Sequence, residues 1–166
     1  MHFGAIGMRA ALASECKDNE VGDVDLVEGQ TAVIEMTVKP EMTASRAADL
    51  AGERFPDVLG TPALVCEMER AAAALMQGLL GPGQVSVGVM VDIKHLAPTP
   101  VGAALRSYAR YTGRDGKLFC FDVWSEDPAG VVGKGRHSRA IVELSVIESK
   151  AAQRGLTFSQ GGATDA

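Results

Sequence analysis

"TPALVCEMERAAAALMQGLLGPG", residues 61–83, is the one stretch of this chain with a sustained helical period. Leu64, Val65, Met68, Ala72, Leu75, Met76 and Leu79 fall on one stripe of such a helix. Thr61 is a good N-cap type, Pro62 suits the first helical position, and Gly81-Pro82-Gly83 ends the helix. At 100° per residue, Glu69 stands about 80° from the centre of that stripe, and Glu67 about 120° away on the other side. Glu67 is therefore expected in solvent and Glu69 on the shoulder, where another leucine would be easier to bury. A carboxylate there is either a helix-surface accident or a catalytic group.

Outward from the helix the period becomes two. "QTAVIEMTV" (30–38) alternates, is rich in β-branched residues and stops at Pro40. Residues 41–60 read as a loop with a helical turn. "QVSVGVMVDIKHLAPTP" (84–100) places Val85, Val87, Val89, Val91, Ile93 and His95 on one face before two prolines end it. "AALRSYARYTG" turns through "RDGK" into "LFCFDVWSEDP", a hairpin over 103–128. "VVGKGRHSRAIVELSVI" (131–147) is the last strand, and Gly133 and Gly135 mark a bulge or a close backbone approach. From Glu148 the chain is polar and Gly-rich, and no fixed structure is expected.

One helix with a broad apolar stripe needs a sheet to cover it. The predicted architecture is α+β: an antiparallel sheet of five to six strands wrapped around one long central helix. Such a sheet leaves edges and apolar area that a homodimer would cover, with a tetramer as the larger alternative. The expected organisation is an N-terminal extension (1–29), one folded domain (30–147) and a C-terminal tail (148–166).

Composition narrows the function classes. The net charge is −5, with acids crowded into the first sixty residues and basic residues into 104–140. Nucleic-acid binding needs a broad positive field, so an acidic chain of this kind is a poor candidate for it. A single small polyanion remains compatible with the basic half. Cys16, Cys66 and Cys120 are an odd, scattered set, which suits a reducing cytoplasm rather than a disulfide framework. No apolar run reaches the roughly 20 residues of a membrane span. "MHFGAIGMRAALAS" has no Lys or Arg before Met8, so an extension is expected there rather than a signal peptide. His2, His95 and His137 have no ligand-like spacing, and no metal site is expected.

Three segments together, "FPDVLGTPALVCEMERA", "SVGVMVDIKHLAPTP" and "GKGRHSRAIV", carry a resemblance. The chain resembles the hotdog-fold thioesterase superfamily and, within it, the fluoroacetyl-CoA thioesterase family, with matching spacing from Phe55 to Val142. The resemblance implies a catalytic set of Thr61, Glu69 and His95, with Gly88 and Arg139 in contact with substrate. Phe55 also matches, and the resemblance implies that it binds substrate. The activity implied is hydrolysis of a short acyl-CoA thioester to a free acid and CoA, with coenzyme A as part of the substrate and no separate cofactor. No acyl selectivity follows, because that depends on residues before Phe55.

The residue types suit that chemistry. Thioester hydrolysis needs an activated water or nucleophile, a donor for the developing oxyanion and shelter from bulk water. A carboxylate on the edge of an apolar helix face is partly desolvated and more basic. A histidine near a carboxylate titrates near neutrality. Amides at a helix N-terminus are ready donors for a carbonyl oxygen. Lys134, Arg136 and Arg139 are expected to border an entrance for the CoA phosphates. Each residue also has an ordinary reading: Thr61 as an N-cap, Glu69 solvated, His95 satisfied in the core, Arg139 on the surface.

Other classes remain beside this one. A hotdog dehydratase needs a histidine before a "FP" step, and Arg54 stands there; a hydratase motif needs an acid where Ala97 stands. A non-catalytic acyl-CoA-binding module would keep the cleft without needing both Glu69 and His95. Eight residues of helix rise about 12 Å, so Thr61 cannot touch Glu69 within one straight helix. Either the chain folds Thr61 back, or the set is completed across a dimer.

Overall fold

A computed structural model describes residues 25–161, with side chains described as far as Gly155. The elements run β1 (Thr31–Thr37), 3-10 turns at Pro40–Met42 and Ala44–Ala47, α1 (Thr61–Met76), a 3-10 turn at Gln77–Leu79, β2 (Gln84–His95), β3 (Ala104–Asp115), β4 (Leu118–Asp127), β5 (Gly130–Glu143) and α2 (Leu144–Gly161). The strands form one antiparallel sheet in the order β1-β3-β4-β5-β2. The sheet curls around α1, which touches every strand. Leu64, Met68, Ala71 and Met76 of the helix pack with Leu105, Ala109, Phe121 and Val123 of the sheet in one core. This is the hotdog arrangement.

The hairpin falls where expected. Asp115 pairs with Leu118 across Gly116-Lys117, and Gly116 has φ +57°, as a two-residue turn with glycine first requires. The glycines of β5 answer to close approach. A β-carbon at Gly135 would strike the Asp92 carbonyl, and one at Gly133 would come within 2.9 Å of both the Lys94 carbonyl and a Leu64 methyl.

Four expectations change. The cap of α1 is Gly60, with extended backbone, so Thr61 is the first helical residue and Pro62 the second. The buried face of α1 includes Glu67 and Ala71 and lies roughly 30° away from the predicted stripe. Glu67 is consequently buried, paired with both Arg70–carboxylate contacts at 2.9 and 3.0 Å, while Glu69 keeps 36% of its side chain exposed. Ala71 lies beside Ala72 on that face, and Glu67 enters it with its charge met by Arg70.

The third change is in β2. Its register with β5 shifts between Gly88 and Met90, leaving Val89 as a bulge. Val85 and Val87 therefore share the outer face with Val142 and Ala140, whereas Val91, Ile93 and His95 share the inner face with His137, Gly135 and Gly133. The predicted single apolar face is split in two. The fourth is at the C-terminus, where the last strand ends at Glu143 rather than at 147, and residues 144–161 form α2 in place of the strand's end and an unstructured tail. "ESKAAQR" is rich in strong helix formers, which outweigh its polarity. The predicted extension falls largely on residues 1–24, outside the described residues.

Candidate active site

The sequence-predicted residues assemble into two groups at successive levels of α1. At its N-terminus, the Thr61 hydroxyl lies 3.0 Å from Nδ1 of His95. His95 Nε2 lies 3.1 Å from the Ala97 carbonyl, which can only accept. In the neutral ring Nε2 therefore carries the proton and Nδ1 accepts from Thr61. Because Gly60 takes the capping position, the Thr61 side chain is released from the helix amides to make this bond. The bulge at Val89 is what turns His95 inward to meet it.

Two turns along, Glu69 faces β2 and β5. Its Oε1 lies 3.7 Å from Nε2 of His137. A β-carbon on residue 88 would fall onto the same oxygen, so only glycine leaves room for this carboxylate. Arg139 is buried and clamped: Nη2 donates to the Ser86 carbonyl at 2.7 Å, Nε to the Ser86 hydroxyl at 3.2 Å, and Nη1 to His137 Nε2 at 3.2 Å. Nη1 also reaches the Glu69 carbonyl at 3.4 Å.

His137 was not singled out by sequence. Its Nδ1 donates to the Met90 carbonyl at 2.8 Å, and Nε2, as acceptor from Arg139, is unprotonated. Burial pushes its pKa below the ordinary histidine value, against the opposing pull of the Met90 carbonyl and Glu69. Burial likewise lowers that of Arg139, which Glu69 partly offsets. Glu69 is thus flanked by a fixed cation and a neutral imidazole. The signal for His137 was its alternation with Arg139 and Ile141, obscured because the preceding inward positions are glycines.

The structure does not bring all predicted residues together. Among the described residues, no hydrogen bond or ion pair joins Glu69 to Thr61 or His95. Arg136 stands on the outer face, opposite Arg139, so the two cannot border one entrance within a subunit; their positions in β5 are an odd number of residues apart. Phe55 lies about half exposed in the loop before α1, whose end is tied down by bridges from Val58 to Pro100 and from Leu59 to Thr43.

Residues 38–145 match the family model described as fluoroacetyl-CoA-specific thioesterase. The chain belongs to that family. It is 31% identical over 100 residues to the fluoroacetyl-CoA thioesterase of Streptantibioticus cattleyicolor, covering 60% of this chain and 72% of that protein. A solved structure of the fluoroacetyl-CoA thioesterase FlK superposes with a TM-score of 0.74 at 27% identity, covering 78% of this chain and 98% of the other. A thioesterase superfamily member from Thermus thermophilus gives 0.73 at 27% identity, covering 82% and 98%. This member of the fluoroacetyl-CoA-specific thioesterase family is thus a hotdog-fold thioester hydrolase acting on acyl-CoA. No described helix is long and apolar enough to cross a membrane.

Proposed function

We propose that this enzyme hydrolyses a short acyl-CoA thioester to the free acid and CoA, using Thr61, Glu69 and His95, with coenzyme A entering as part of the substrate. The observation that carries this reading is the 3.0 Å contact between the Thr61 hydroxyl and an inward-turned His95 at the helix N-terminus. There, helix amides without intrahelical acceptors favour a developing oxyanion. Water adds across the carbon–sulfur bond: its oxygen goes to the acyl carbon, the bond to sulfur breaks, and a proton ends on the CoA thiolate. Glu69 serves as base toward that water or attacks the acyl carbon itself, and Gly88, which leaves room for that carboxylate, lies beside the thioester. Arg139 donates to the Glu69 backbone carbonyl and sets a positive charge near its carboxylate, while His137 walls that side of the site as a neutral ring.

The two groups lie two helical turns apart in one subunit, so we assign the complete set to a homodimer in which one subunit's Glu69 meets the other's Thr61 and His95. The support is β2, an edge strand exposing Val89, Met90 and Val91 beside Gly88. Phe55, in the loop that leads into Thr61, is assigned to the acyl side. The alternative of an acyl-CoA-binding module without catalysis predicts that Glu69 is dispensable. A screen of acyl-CoA thioesters from acetyl to aromatic, read by thiol release, tests the assignment when run with Glu69→Gln in parallel. Loss of a general base costs ~100- to 10,000-fold in rate, and loss of a nucleophile more. Turnover within a few-fold of the parent would remove Glu69 from the mechanism.

A further inference from the structure

The sheet face turned away from α1 carries two neighbouring cross-strand rows. In one, Arg110, Asp122, Arg136 and Asp92 lie side by side on β3, β4, β5 and β2. Its signs alternate, and Arg110 Nη2 meets Asp122 Oδ2 at 2.7 Å, so this row neutralises itself. The adjacent row reads Tyr108, Trp124, Lys134 and Lys94. It does not neutralise itself. Lys134 and Lys94 are both exposed and directly opposite, and among the described residues no carboxylate lies within ion-pair distance of either. Like charges in that relation destabilise a sheet. Next to them Trp124 stacks on Tyr108, with ring centroids 4.8 Å apart and planes within 6°. A groove of about 540 Å³ runs over both rows, a volume typical of small-molecule sites.

We propose that this groove binds a nucleoside diphosphate group, its base against Trp124 and its phosphates between Lys94 and Lys134. An anion bridging the two lysines converts their repulsion into charge-assisted hydrogen bonds. A flat base gains stacking on an indole that Tyr108 already holds in plane. Strands about 4.8 Å apart put the lysines roughly 5 to 10 Å from the indole, the reach of a sugar between base and phosphate. The inference stands apart from the catalytic assignment, because the groove is across the sheet from Glu69 and His95. The ligand is either a free nucleotide or the nucleotide half of a CoA ester.

Trp124 is the single tryptophan of the chain, so its fluorescence reports this groove alone. Titration of the full chain with ADP is expected to give a saturable change in that signal, weakening as salt is raised. Lys94→Gln combined with Lys134→Gln should weaken ADP at least ~10-fold, as loss of charge-assisted bonds implies, without lowering the melting temperature. Inorganic pyrophosphate should bind more weakly than ADP, since it has no base. Three results would overturn the proposal: no saturable response to ADP, a response indifferent to the double variant, or pyrophosphate binding as tightly as ADP. A fluorescence change that follows only protein concentration and self-association would assign the groove to a second copy and overturn it too. Kinetics separate the two sources. ADP competing with the acyl-CoA substrate identifies the nucleotide half of CoA, whereas ADP binding that leaves KM unchanged identifies a free nucleotide.

Discussion

His137 presents its unprotonated Nε2 to the carboxylate of Glu69, 3.7 Å from Oε1, while the buried guanidinium of Arg139 donates to the same nitrogen. The carboxylate therefore faces a neutral ring held in one orientation by Met90 and Arg139, and not a second cation.

A pH dependence of stability follows. The folded-state pKa of His137 lies below the ordinary value of 6.5 because burial disfavours the charged ring. Below 6.5 the unfolded chain takes up a proton that the folded chain refuses. The contribution of neutral His137 is thus complete above that pH and is lost as pH falls toward the depressed folded value. Melting temperature measured across this range should fall more steeply for the parent than for His137→Gln. Parallel curves would show that the ring does not resist protonation.

Thr61→Val keeps the shape at the start of α1 and removes the hydroxyl that His95 accepts from. A fall in kcat of ~10- to 1,000-fold is expected, in the range of a lost positioned proton or oxyanion donor, with Thr61→Ser retaining much of the rate. If Thr61→Val and Thr61→Ser turned over equally well, the hydroxyl would have no role beyond local structure.

Gly88→Ala places a methyl on Oε1 of Glu69 and within 3.2 Å of the His137 ring. The carboxylate has to swing away, since the strand cannot. Activity should drop by at least ~10-fold, consistent with a misplacement on the order of 1 Å at a reacting group. Circular dichroism should show the fold retained. A fully active Gly88→Ala enzyme would mean that Glu69 works from another position.

Sedimentation at micromolar concentration should show a dimer, because the β2 edge exposes Val89, Met90 and Val91 next to a site that one subunit leaves divided. Mixing Glu69→Gln with Thr61→Val subunits should then raise activity above that of either variant alone, as each mixed dimer retains one complete set. A catalytically active monomer would remove the shared-site assignment.

Helix α1, the hairpin and all five strands were legible because their periods of 3.6 and 2 persist over many residues, whereas α2 has no such stripe. Single-residue events were not. Val89 carries no mark of being a bulge, since valine continues the alternation on either side of it. Ala71 and Glu67 joined the buried face of α1 without looking like anchors, so Glu67 lost the solvent expected for it while Glu69 kept its place on the shoulder. Thr61 and His95 were legible as candidates, but their contact depends on the bulge and on Gly60 taking the cap. His137 stayed hidden because Gly133 and Gly135 erase the alternation that would have marked its face.

The bulge at Val89 also bears on how such a site can change over time. Val89 is the extra residue there, so deleting it would leave Gly88 and Met90 opposite Arg139 and Ser138, with His95 still inward. Straightening the strand with Val89 kept would instead send His95 outward and Lys94 inward. The bulge thus absorbs a one-residue change in length, and its presence decides which of two sets of groups faces inward. A lineage carrying this sheet could gain or lose one residue at this edge and keep the inward set, with the core of α1 against β3 and β4 left undisturbed.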